Sequence, residues 1–411
     1  MIRLEHAALI ALAAVLPLLE GPKNLFWILY IALWLANRVR ARDFGGPWDR
    51  WDTLIVLWIA SAQAAVAFAG LGADWRAVTD VVRYMSVLWL MKRSRYPDRV
   101  LVALLIALAA GTVLALALGY YRILLTDDHT YLGLKSVGHV NHSAIYLAIA
   151  FGATLIATRA WWRHAAAPWR IGGLLCTLLF AVSLFVMQSR AAVGAAIVVA
   201  VVLLLAYAVR HRRGMRRLAL GAAIAVGIGL AVKPEVLEKN YVQIERSGTL
   251  LAFREGIWHA GLLAWREFPI FGVGTHSWGR ISEKQLESAA AQRGETLDSS
   301  GLVFSSHGHS LYVNTLVERG VLGLAAVLAV LVAWAVALFR LIPDAAASPL
   351  RWSYWGGSAA AWMVAVIVGL VNTTLHHEHA LISVLLLGGW LAHQRSTPAP
   401  NRQASPGPRA P

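Results

Sequence analysis

The chain is poor in charge, and poorer still in acid. Only 14% of its 411 residues are Asp, Glu, Lys or Arg, and 22 acidic residues face 37 basic ones. Cys176 is the single cysteine, which excludes an intramolecular disulfide. No glycine-rich phosphate loop, dinucleotide fingerprint or spaced Cys/His metal motif occurs, so ATP-driven or zinc-dependent chemistry has no support in the sequence. Internal repeats are absent, as are the alternating apolar and polar strands of a membrane barrel.

What is present is apolar helix. Hydrophobic residues make up 58% of the chain, with 18 Trp, and the mean hydropathy is +0.59. Apolar runs long enough to cross a bilayer, which takes about 20 residues, recur along its length. We read twelve, at about 4–20, 24–38, 53–71, 77–91, 98–121, 142–160, 169–188, 191–209, 216–232, 315–340, 352–371 and 378–394. The first has the basic start and apolar middle of a signal peptide, but the charge pattern downstream requires it as a retained span. The expected fold class is therefore an all-α polytopic membrane protein. Its expected divisions are helices one to nine in 1–232, a large polar loop with amphipathic helices in 233–314, helices ten to twelve in 315–394, and a Pro-rich disordered tail in 395–411.

Connections between these spans alternate in charge. One set holds Arg38, Arg40, Arg42 and Arg50; Lys92, Arg93, Arg95 and Arg99; Arg159, Arg163 and Arg170; Arg210, Arg212, Arg213, Arg216 and Arg217; and Arg340 with Arg351. The other set is nearly free of Lys and Arg where it is short. By the positive-inside rule the Arg-rich set, and both termini with it, is cytoplasmic. The net charge of +15 is thus a topology signal with anionic-lipid contact, and nucleic-acid binding is not expected.

Against that bias, four outward connections carry cations and imidazoles. One, 122–142, holds Arg122, Asp127, Asp128, His129, Lys135, His139 and His142. A tight turn follows at Gln188-Ser189-Arg190. The large loop holds Arg246, Arg254, His259, Arg266, His276, His307 and His309. The last is Asn372 to His379, with His376, His377, Glu378 and His379 crowded together. Arg190, at a helix end, is either a headgroup anchor or a bidentate anion ligand, the latter a role Lys fills poorly. Leu250 to Trp265 reads as an amphipathic helix lying along the membrane, with Arg254 and Trp258 as i,i+4 neighbours and Pro269 ending it. His309 is a candidate base beside His307, since an imidazole accepts protons near neutrality. Three imidazoles at i, i+1 and i+3 of one helix do not point at one centre, so no metal site is expected at His376–His379.

These stretches, in this order, resemble one family. Ser189-Arg190, Arg254-x-x-x-Trp258, Pro269-Ile-Phe-Gly-Val-Gly274 and His309-Ser310-x-Tyr312 followed by Glu318-x-Gly320-x-x-Gly323 are similar to motifs of the O-antigen ligase/polymerase family. Gly138-His-Val-Asn141-His142 resembles a further stretch that this family carries before a span. The resemblance implies a GT-C-like membrane glycosyltransferase with one large periplasmic loop, working at the outer face of a Gram-negative inner membrane. It implies a donor glycan on undecaprenyl pyrophosphate and, for the ligase, lipid A–core as acceptor. Polymerisation of O-antigen units and transfer to protein are the family's other activities; the short chain and single modest loop favour the ligase. A lipid-linked sugar transporter or flippase is the alternative outside enzymes, and is disfavoured because polarity gathers in one outward loop.

Charge then assigns roles. A departing pyrophosphate gathers negative charge, so preorganised cations are needed there. No paired carboxylates stand near the motif arginines to hold a divalent metal; Asp127-Asp128 is the one acidic pair available. The expected catalytic set is His309 as base with Arg190 and Arg254 on the pyrophosphate, without metal or other cofactor, and with inversion. Arg122, His139, His142, Arg246, Arg266, His307, Tyr312 and Asn314 are the expected substrate-binding residues.

Overall fold

The computed structural model describes residues 1–72, 74–126, 131–211, 251 and 253–396. Span nine at 216–232, Arg246, Asp127, Asp128, His129 and the tail beyond 396 lie outside the described residues. Those that are described form helices and connecting turns. Eight come first: α1 (Ile2–Val15), α2 (Glu20–Ala41), α3 (Arg50–Ala67), α4 (Trp75–Lys92), α5 (Asp98–Leu125), α6 (Val140–Trp161), α7 (Ala167–Met187) and α8 (Arg190–His211). After the gap come α9 (Arg254–Glu267), a 3₁₀ turn at Trp278–Arg280, α10 (Glu283–Gln292), α11 (Leu311–Arg340), α12 (Pro349–Gly369) and α13 (His377–Ser396). Each expected span within the described residues falls mainly on one helix, although α1 stops at Val15 and α11 is broken at Gly320.

Five of these helices, α5, α6, α7, α8 and α11, are long and apolar enough to cross a membrane. The chain is a polytopic helical membrane protein on that ground. The others are shorter or more polar. α1, at 14 residues, rises only about 21 Å, less than a hydrocarbon core of about 30 Å.

Helix α12 is the hub of the core. Its Trp352, Ala360, Ala361 and Val364 are all buried, and small residues let its neighbours approach, as expected where lipid gives no hydrophobic drive to pack helices. A side chain at Gly152 of α6 would collide with Ala360 of α12 and Val199 of α8.

At the end where α3 starts, a capping box closes the helix. The Asp49 carboxylate accepts from the Trp51 and Asp52 amides, and Asp52 accepts from the Asp49 amide. Asp52 is fully buried and also receives Lys92 Nζ at 2.6 Å and Arg93 Nε at 2.9 Å. Asp49 lies 2.7 Å from Lys92 and 3.5 Å from Arg395. Cations here are matched by carboxylates.

The large loop packs on a break in α11. Gly320 sits at φ 63°, ψ −168°, a region open essentially to glycine alone. The break frees backbone groups on both sides, and the Pro269–Gly274 stretch takes them up. Val273 and Gly274 amides donate to the Val317 and Glu318 carbonyls (2.9 and 3.1 Å), and the Val321 amide donates to the Pro269 carbonyl (2.9 Å). Unpaired, such groups would be costly beside a membrane. Arg319, buried, reaches the Trp58 carbonyl at 2.7 Å and Ser61, tying the break to α3.

Around this seam Ile257, Ala260, Ala264, Val273, Trp278, Leu286 and Val317 form a second apolar cluster. Much of the apolar face of α9 is therefore spent on protein. α9 also starts later than expected, at Arg254, because Phe253 adopts φ 67°.

Candidate active site

Several helices begin at one place. His139 caps α6, and its Nδ1 accepts from the Asn141 amide at 3.3 Å. Arg190 is the first residue of α8 and Arg254 the first of α9. Ser310 caps α11, accepting from the Val313 amide and donating to the Gly369 carbonyl. His377 opens α13. Each start carries about half a positive charge and several amides without intrahelical partners, a ready anion site.

The side chains there converge. Ring centroids of His307 and His309 are 4.0 Å apart, and His142 lies 6.4 Å from both His139 and His307. His142 stacks on His379 at 5.3 Å, with Nδ1 of the first 3.1 Å from Nε2 of the second. The tautomers follow from the backbone outward. His379 Nδ1 accepts from the His376 amide (3.3 Å), so its Nε2 carries the proton donated to His142 Nδ1. His142 Nε2–H is left as a donor.

Arg254 and His309 are joined through Trp258. One turn on from Arg254, the Trp258 indole donates to the Gly308 carbonyl at 2.7 Å. The Gly308 amide donates to Asn314 Oδ1 (2.8 Å), Asn314 Nδ2 to Glu318 Oε2 (3.0 Å), and the Trp278 amide to Glu318 Oε1 (3.2 Å). Gly308 must be glycine, because a Cβ there would meet the Trp278 ring. His309 itself is held at φ 46°, strain that the surrounding bonds maintain.

Electrostatics keep the imidazole neutral. Burial, then His307, Arg254 and His139, push His309 down to about 4. Burial also lowers His307, with His139 and His276 adding to it. The His309 Nδ1 is buried and has no partner in the structure. Burial, then the charge of Arg190, lower Arg254, so the two arginines feel each other's charge. Arg254 Nη1 donates to the Leu251 carbonyl at 3.0 Å, and its Nε is buried without a partner.

The structure thus brings together His309, Arg254, Arg190, His139, His142 and His307. It places other expected residues differently. Arg266 is 3.5 Å from Glu295 on an exposed surface. Tyr312 donates to the Val366 carbonyl at 3.2 Å, and Asn314 holds the His309 loop. Both act on the scaffold. Arg122 lies in the last turn of α5, where its carbonyl accepts from the Thr126 amide.

Sequence reasoning missed what the last turn does. Leu375 and His377 have φ of 53° and 46°, so His376 to His379 is not one regular helix. The turn sends His379 to His142 and His376 with His377 toward Asp80 of α4. It also missed the pair of Glu378 with Lys23, buried and joined by Ser136 at 3.2 Å. The signal for both was the crowding of His and Glu at 376–379.

Residues 174–328 match the family model described as O-antigen ligase. This stretch runs from α7 to the middle of α11 and contains Arg190, Arg254 and His309. No curated protein matches the chain.

Proposed function

With the O-antigen ligase family as premise, we propose that this chain moves O-antigen polysaccharide from undecaprenyl pyrophosphate to a hydroxyl of lipid A–core. In this reading it works at the periplasmic face of the inner membrane, where the poverty of Lys and Arg in its short outward connections puts the starts of α6, α8 and α13. One observation carries the reading: Arg190 and Arg254 each open a helix and act on each other electrostatically, with His309 on the loop that Trp258 ties to Arg254's helix.

Two arginine forks on two helix N-termini suit a pyrophosphate, which offers several planar oxygen faces. They stabilise the charge that gathers there as the glycosidic bond to phosphate breaks. His309 takes the proton of the acceptor hydroxyl while its oxygen attacks the anomeric carbon from the opposite side, which inverts that centre. Burial and then the nearby cations hold His309 down; a bound pyrophosphate would offset the cations and raise it toward a useful base strength. His142 Nε2–H and His139 stand by as donors to the sugar or phosphate. No metal is needed for these steps, and the reading expects none in the transfer itself.

A deletion strain complemented with wild-type or variant protein tests this on lipopolysaccharide gels. Loss of every O-antigen band with intact core, restored by wild type and not by His309→Ala, is the expected result. Core bearing a single repeat would make the protein a polymerase instead, and unchanged lipopolysaccharide would remove both readings.

A further inference from the structure

The turn that delivers His379 to His142 delivers two other imidazoles elsewhere. His376, His377 and Asp80 each offer one ligand atom, and these atoms all lie within 4.8 Å of one another. They come from two separate elements, α4 and the turn before α13. His377 Nδ1 and Asp80 Oδ2 are 3.6 Å apart. Two ligands about 2.0–2.1 Å from a tetrahedral Zn²⁺ stand roughly 3.4 Å apart, so this edge is already at coordination length. The imidazole rings of His376 and His377 are steeply inclined, at 70°.

The two Asp80 oxygens are divided. Oδ1 lies 3.2 Å from Arg83 Nη2, which fixes the carboxylate, while Oδ2 faces His377. A metal ligand whose second oxygen is held in this way is oriented before the ion arrives. All three residues are half-buried, which leaves solvent access to a fourth position.

We propose that Asp80, His376 and His377 form a binding site for a borderline divalent transition metal such as Zn²⁺, adjoining the transfer site, with the His377 ring 6.1 Å from that of His142. Two imidazoles and one carboxylate select this class, since Mg²⁺ and Ca²⁺ want all-oxygen shells. The ion would clip α4 to the start of α13. His379, on that same helix start, sets the tautomer of His142, so the metal would stiffen one wall of the cluster without touching the reacting atoms. This inference rests on the ligand geometry alone, and stands or falls apart from the transferase reading.

The test uses full-length protein in detergent, stripped with EDTA and titrated with Co²⁺ and then Zn²⁺. We expect one equivalent of Co²⁺ per chain with the intense visible bands of four-coordinate cobalt, displaced by Zn²⁺. Asp80→Asn and His377→Gln should each weaken binding by at least about tenfold, the cost of roughly one lost ligand interaction. Arg83→Gln gives a readout that misfolding does not mimic: it removes the group that orients Asp80 but no ligand, so binding should weaken while the four-coordinate cobalt bands persist at saturation. No saturable Co²⁺ or Zn²⁺ binding in the wild type would overturn the proposal. So would binding that survives both ligand variants, which would move the metal to the His139–His142–His307–His309 group.

Discussion

Where α3 begins and α4 stops, Lys92 and Arg93 are buried and both are held by Asp52, with Asp49 also against Lys92. Where α9 begins, Arg254 is half-buried too, yet its partner is the Leu251 carbonyl and its charged neighbour is Arg190. Among the described residues no carboxylate lies within salt-bridge distance of it. Both regions put cations at helix ends, and both remove them from water. The first matches each charge with an internal anion and so is closed. The second sets Arg254 beside another cation and at a helix start, an arrangement that favours an incoming anion. Structural and functional cations in this protein differ by that balance more than by burial.

His309 offers the largest way to break the comparison. His309→Ala should cost transfer about 10²–10⁴-fold, the usual worth of a general base, while donor binding and thermal stability stay near wild type. Arg254→Ala should follow at about 10²–10³-fold, the cost of one preorganised group on a developing anion, with Arg254→Lys recovering little because it lacks the fork. Rates from reconstituted donor and acceptor decide it; a fully active Arg254→Lys reduces the arginine to a point charge.

Asp52→Asn should do the reverse. Removing the shared anion leaves two buried cations poorly matched, and loss of one partner from a buried pair costs about 3–5 kcal/mol. Thermal unfolding in detergent should report that loss, with turnover per folded molecule unchanged. If turnover collapses while the melting temperature holds, the closed network belongs to function after all.

Acid should separate the two regions more gently. His309 is pushed down to about 4 and His307 is lowered as well, whereas an unfolded His titrates near 6.5. The unfolded chain therefore binds more protons between these values. Their contribution to stability is intact above about 6.5 and is lost as pH falls toward about 4. Melting temperature measured across that window should drop toward acid, and the drop should shrink in His309→Ala. A slope unchanged by that variant would place the titration elsewhere.

Much of this was legible in the sequence, for particular reasons. Helices appeared where apolar length required them, because a backbone in lipid must satisfy itself. Arg190, Arg254 and His309 stood out because they defied the charge bias of short outward connections. The roles of Asn314 and Tyr312 were not legible. Both flank His309 in sequence, and only the fold shows Asn314 turned back to Gly308 and Glu318 and Tyr312 bonded to Val366. The pairing of Arg266 with Glu295 was not legible for the same reason, since the two are remote in sequence. The 376–379 crowd was judged on helical spacing, and positive φ at Leu375 and His377 removed that premise.

The smallest expected effect lies in the joint between Arg254 and His309. Trp258 packs in the second apolar cluster and donates one hydrogen bond, to the Gly308 carbonyl. Trp258→Phe keeps an aromatic ring there and deletes the donor. A lost hydrogen bond of this kind is worth about 0.5–1.5 kcal/mol, which corresponds to roughly a two- to tenfold change. If the bond only stabilises the fold, melting temperature should fall and kcat should not. If it sets the height of His309 against the arginine-bound pyrophosphate, kcat should fall by that factor with KM for the donor unchanged. We expect the second outcome, because Gly308 is also fixed from the other side by Asn314 and the loop will stay folded with one tether. His309 will then sit slightly out of line, and misplacement is felt in the chemical step.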